Sequence, residues 1–162
     1  MSAAATPSLR KPEAAGRDYR NLGRAWVALC AAFALHVLDE ATTGFLDIYN
    51  PTAAELQRRL GVGFPPVFAY RDWLFGLITG VVVLLALSPF AFRGSRWLRP
   101  LAYVYAIIMI LNACGHTAGT IAGRGLFPWI TFPRPMPGFY SSPTMLAASV
   151  WLFIALRRTR PA

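Results

Sequence analysis

Ala25-Trp26-Val27-Ala28-Leu29-Cys30-Ala31-Ala32-Phe33-Ala34-Leu35-His36-Val37-Leu38-Asp39-Glu40 is an apolar run that closes on three ionisable side chains. Its length suits a membrane helix, and its end is the costliest place in the chain. On a helix the offsets i, i+3 and i+4 share one side, so His36 faces Asp39 and Glu40 one turn later. Ionisable groups inside a membrane segment usually face a bundle interior, a wet cavity or one another, and so mark a functional site by default. One imidazole and two carboxylates at this spacing can converge on a single proton or metal ion.

The composition fits a membrane protein: of 162 residues 56% are hydrophobic and 14% charged, with a mean hydropathy of +0.44. Apolar runs recur between short basic punctuation marks, and four of them are read as transmembrane helices. A net charge of +9 would suggest nucleic acid in a soluble chain. Here Lys and Arg collect at the ends of the apolar runs, with no basic, aromatic-interleaved patch to read bases or phosphates, which argues against nucleic acid and for membrane lipids as surroundings. Cys30 and Cys114 lie inside apolar runs, where a thiol is usually a small filler. Cys114 also points away from Asn112 and His116 on a helix, which leaves it outside the site.

The expected architecture is an all-α integral membrane fold with four transmembrane helices, a short interfacial helix and a re-entrant connection before helix four. Residues 1–23, rich in Ala, Pro and charge, read as a disordered cytoplasmic tail, 24–157 as the membrane domain and 158–162 as a second cytoplasmic tail. Helix one is expected over 24–46. Asn50-Pro51 looks like a cap and first helical residue of an interfacial helix that Gly61 ends. Helix two is expected over 72–92, helix three from Leu101 to Ala122, and helix four up to Leu156. Asp72, Trp73 and Tyr140, near the outer helix ends, are candidates for the entrance or for interfacial anchors.

Basic residues set the orientation: eleven on one side (five in the tail through Arg24, three over 93–99, three over 157–160) against five on the other. Both termini are therefore expected in the cytoplasm, in a bacterial inner membrane. Helices one and three then run in the same direction. His36 and Glu40 lie twelve and sixteen residues beyond Arg24, as Asn112 and His116 do beyond Pro100. Both sets fall roughly 18 to 24 Å from the inner end, in the outer half of the bilayer.

His36, Asp39, Glu40, Asn112 and His116 thus form one candidate catalytic constellation. Within it His36, Glu40 and His116 are candidate ligands for zinc, iron or manganese, since imidazole and carboxylate suit those ions. A metal-free acid/base site and a buried ion-pair network fixing helix register fit the same residues. Helix four adds a further element. Ser141 or Ser142 suits its cap and Pro143 its first turn, which makes the helix short enough to begin inside the outer half of the membrane. Its free N–H groups there favour an anionic group of a bound ligand, with 123–140 as a lid.

The pattern His36-x-x-Asp39-Glu40, Asn112-x-x-x-His116 and Pro137-Gly138 ahead of Thr144 resembles the small bacterial membrane proteins grouped by an HxxEE motif, whose function is generally unassigned. The resemblance covers 36–144, and Asp39 stands where that family has its first Glu. The shorter side chain changes its reach, which favours Glu40 as the ligand. The site residues suit an enzyme acting on a hydrophobic, lipid-like or isoprenoid substrate. A proton- or ion-coupled transport component and a structural membrane subunit are the other classes open to such residues.

Reporter fusions test the orientation. Fusions at Arg160 and within 93–99 should read cytoplasmic and one within 55–62 external; a cytoplasmic result at 55–62 inverts the topology.

Overall fold

The computed structural model describes residues 12–125 and 129–159. It is helical, with a single isolated bridge between Arg124 and Thr131 and no other β pairing among the described residues. Six helices follow in order: α1 Pro12–Thr43, α2 Phe45–Leu60, α3 Tyr70–Ala86, α4 Ser88–Phe92, α5 Leu98–Ala122 and α6 Ser142–Arg158. Three stretches are long and apolar enough to cross a membrane: Gly16–Thr43, Tyr70–Phe92 and Leu98–Ala122.

α1 is longer at its start than the sequence suggests. The expected disordered tail is helical from Pro12 onward, with Pro in the first turn, where its missing N–H costs nothing; residues 1–11 lie outside the described residues. Tertiary contact explains the extension. Leu22 is buried, and a Cβ at Gly23 would lie 2.2 Å from the Phe92 ring, so α1 and α4 meet at van der Waals contact. At its other end α1 stops at Thr43, short of the expected residue 46, because Gly44 takes the left-handed conformation at φ 78°.

α2 consequently begins at Phe45 and contains Pro51 in its interior. Asn50 is not its cap. Its side-chain amide donates to the Phe68 carbonyl at 2.9 Å and accepts from the Phe68 N–H at 3.0 Å, pinning the 61–69 connection against the helix. On the exposed face Glu55 binds both Arg58 and Arg59, whose guanidinium groups hold its carboxyl at about 2, below the usual carboxylate range.

α3 and α4 form one span broken at Leu87-Ser88-Pro89, where Pro89 has no N–H to continue the ladder. Beside the break the Leu84 carbonyl accepts both the Leu87 N–H at 3.2 Å and the Trp26 indole, Nε1 to oxygen at 2.9 Å, which ties α1 to this span. α6 packs most extensively on α5 and α1. Trp26, Leu29, Cys30, Ala106, Ala113, Met145, Leu152 and Leu156 from these three helices make the buried core. At one end of the bundle Arg99 donates to the Leu156 carbonyl and Trp151 to Asn21. α2 and residues 123–125 and 129–140 occupy the other end, and the outward faces of α3 and α5 carry exposed apolar residues such as Phe75, Val82, Ile108 and Leu111, as a lipid-facing surface would.

The Gly23–Phe92 contact gives a measurable expectation. Gly23→Ala should lower detergent stability by about 1–3 kcal/mol through overpacking, and adding Phe92→Ala should restore part of the loss. Thermal unfolding of the single and double variants decides; no recovery in the double variant means the two helices do not meet there.

Candidate metal centre

The centre sits at the end of the core nearer α2, where α1, α5 and the start of α6 converge. His36 and Glu40 are one turn apart on α1, and His116 faces them from α5; all three are buried, at 1%, 6% and 5% exposure. Glu40 Oε1 lies 3.4 Å from His36 Nε2 and 3.2 Å from His116 Nε2. The imidazoles meet edge to face with ring centres 4.8 Å apart. The donor atoms of the three residues lie within 4.8 Å of one another, and the group could hold a metal ion.

Zinc bound at roughly 2.0–2.1 Å by tetrahedral ligands sets those ligands about 3.3 Å from each other. Both separations to Glu40 already have that length. His36 Nε2 is buried without a hydrogen-bond partner, which is how a nitrogen lone pair reserved for an ion looks before the ion is counted.

The other face of His36 is fixed by two residues that the sequence reading assigned to different roles. Ser141 Oγ is 2.8 Å from His36 Nδ1 and donates to Asp39 Oδ2 at 2.8 Å. A hydroxyl has one proton to give. With that proton on the Asp39 carboxylate, Ser141 accepts from Nδ1–H of His36, and the Nε2 lone pair is directed at Glu40 and His116. The tautomer is thus assigned from the network.

Asp39 is therefore not a ligand. One residue before Glu40 on the helix, its carboxylate reaches the start of α6 and also accepts the Ser141 backbone N–H at 2.8 Å. The Ser141 N–H and hydroxyl, which the sequence reading offers to an anionic group of a ligand, are both given to the chain's own Asp39. Ser141 sits at the cap position without a side-chain capping bond, and Ser142 Oγ donates to the Gly138 carbonyl at 2.7 Å. The helix does begin at Ser142, with Pro143 in its first turn, as expected.

Asn112 lies one turn below His116 on α5 and does not join the three donors. Its Oδ1 is buried without a partner and lines a groove of about 740 Å³ beside His116. Tyr140 is exposed and Asp72 lies at the exposed start of α3, while Trp73 is buried. Trp73 stacks on Phe45 at 5.8 Å, and the Phe45 ring is 6.1 Å from that of His116. Together they wall the α2 side of the centre.

Gly138 is the residue whose structural role the sequence concealed. Its φ is +83°, and a Cβ there would stand 2.8 Å from the rings of both His36 and His116. The backbone approaches both imidazoles where only glycine fits. The Pro-Gly pair ahead of a short helix is its only sequence signal.

Comparison with known protein families, curated proteins and solved structures finds no significant match.

The Ser141 bridge predicts a graded effect on metal affinity. Ser141→Ala, which frees His36 Nδ1 and removes one of the two bonds to Asp39, should weaken metal binding by about 10–100-fold with the fold intact. Titration of purified protein with zinc measures it; unchanged affinity excludes Ser141 from orienting the ligand.

Proposed function

We propose that the chain is a small membrane-embedded enzyme in which His36, Glu40 and His116 hold one divalent metal ion and act on a hydrophobic, lipid-like or isoprenoid substrate. The observation that carries this reading is the pair of separations to Glu40, 3.4 and 3.2 Å, among donors that are almost wholly buried. Two histidines and one carboxylate are the ligand set of hydrolytic zinc sites that keep an open position, and zinc is the first choice; the same set also suits iron, and manganese is third. When bound, such an ion supplies a Lewis acid and lowers the pKa of water at its open position.

The chain's own residues do the rest. Asp39 and Ser141 hold His36 in one tautomer. Asn112 Oδ1, lacking a partner, is placed to accept a hydrogen bond from a substrate hydroxyl or from water in the groove. Phe45 and Trp73 keep bulk water from the α2 side. In this reading α6 is a fourth span whose outer end stops at the depth of the centre, and 129–140 folds inward over it, since irregular backbone at that depth is tolerated when protein covers it. Both termini lie in the cytoplasm of a bacterial inner membrane, and the chain belongs with the HxxEE proteins it resembles.

A second reading, a proton- or ion-coupled transport component, is favoured by the continuous hydrogen-bonded line from Asp39 through Ser141 to His36. Proton-gradient-dependent uptake in proteoliposomes by protein that contains no metal would select it.

Metal analysis of detergent-purified protein tests the first reading. Wild type should contain one ion per chain, Glu40→Gln and His116→Ala none, and Cys114→Ala a full complement. Full metal in both ligand variants removes these residues from the site. Collapse of the variants on size exclusion, without metal in the wild type, identifies the cluster as a structural network instead.

A further inference from the structure

The groove beside His116 is asymmetric. Its walls are mostly apolar, formed by Phe45, Ile130, Phe132 and Met136 against the α5 face that carries Gly115 and Gly119; Asn112 and His116 line it from within α5, and Arg124 lines it from just beyond the C-terminal end of that helix. Glycine keeps this face low: nothing lies within 4 Å of where a Cβ at Gly115 would stand.

Arg124 is the basic residue that lines the groove. Arg58 and Arg59 bind Glu55, and Arg134 donates to the Ala122 carbonyl at 2.7 Å, capping α5. Arg124 is exposed and has no ion-pair or side-chain hydrogen-bond partner among the described residues. An apolar trough with one free guanidinium at its mouth complements a molecule with an acyl-like body and an oxyanion at one end.

We infer that the groove binds a single-chain amphiphile with an anionic head, drawn from the bilayer, its head on Arg124 and its chain running beside Phe132 and Met136 to the open α5 face at Gly115. The inference rests on the metal-site reading for what is done to that molecule, not for its binding. His116 sits in the last two turns of α5, whereas Arg124 lies two residues beyond its last residue, Ala122, so the two line different parts of the groove. The bond brought to His116 therefore lies along the chain rather than at the head.

The test uses full-length protein in a neutral maltoside detergent, with 11-(dansylamino)undecanoic acid and its methyl ester as fluorescent probes. Wild type should bind the acid saturably and about tenfold more tightly than the ester, the effect of one partly exposed charge-assisted contact. Arg124→Gln should bring acid affinity down to that of the ester, and Gly115→Leu should weaken both probes about tenfold or more by filling the trough. Equal affinity for acid and ester in wild type overturns the inference, as does undiminished acid binding in Gly115→Leu protein that retains its fold by size exclusion. Glu40→Gln protein separates the two readings. Acid preference kept there, with metal lost, supports the groove by itself; preference lost there but kept in Arg124→Gln protein overturns it.

Discussion

Everything at the α2 end of this bundle depends on keeping a carboxylate, Glu40, between two imidazoles in a place water barely reaches. Each of those groups would be costly alone at that depth. Together their donor atoms lie within 4.8 Å of one another, close enough to share one ion. Three backbones have to be brought close enough for this, and the chain uses glycine and short polar side chains to do it. Gly138 lets the α6 approach touch both rings, and Ser141 spans the distance between α1 and α6. Removing one partner from such a network costs more than the bond it made, because it strands a buried polar atom.

The second carboxylate shows how the start of a helix is used internally. A helix beginning at depth exposes N–H groups that attract negative charge. Asp39 meets the first of these groups and the Ser141 hydroxyl at once, so the polarity of α6 is answered within the fold and serves to orient His36. What remains open to an outside molecule is the other side of His116, along α5.

Much of this was legible from residue types and spacing. His36, Glu40 and His116 stand out because polar residues at membrane depth are rare, and counting from basic helix ends brings them to one level. The start of α6 was legible from Ser-Ser-Pro. The division of labour between Asp39 and Glu40 was not, since i+3 and i+4 positions face the same side until the neighbour of each is known, and Asp39's neighbour is 102 residues away. The helical stretch before Arg24 was hidden for a related reason. Its composition reads as a tail, and only contact with Phe92 and the 93–95 turn gives Leu22 and Gly23 something to pack on. Asn50-Pro51 misled in the opposite direction. A good local capping signal was overridden by Gly44 upstream, and Asn50 spends its amide on Phe68 instead.

The Ser141 bridge also fixes an order of events during synthesis. His36 and Asp39 leave the ribosome about a hundred residues ahead of the serine that joins them. Throughout that interval a first span bearing two acids and a histidine must rest in or beside the bilayer without its proper neighbours, and such a segment is a poor membrane anchor until they arrive. The later-made α6 thus completes the site and secures α1 together, so that loss of α6 would be felt about a hundred residues upstream.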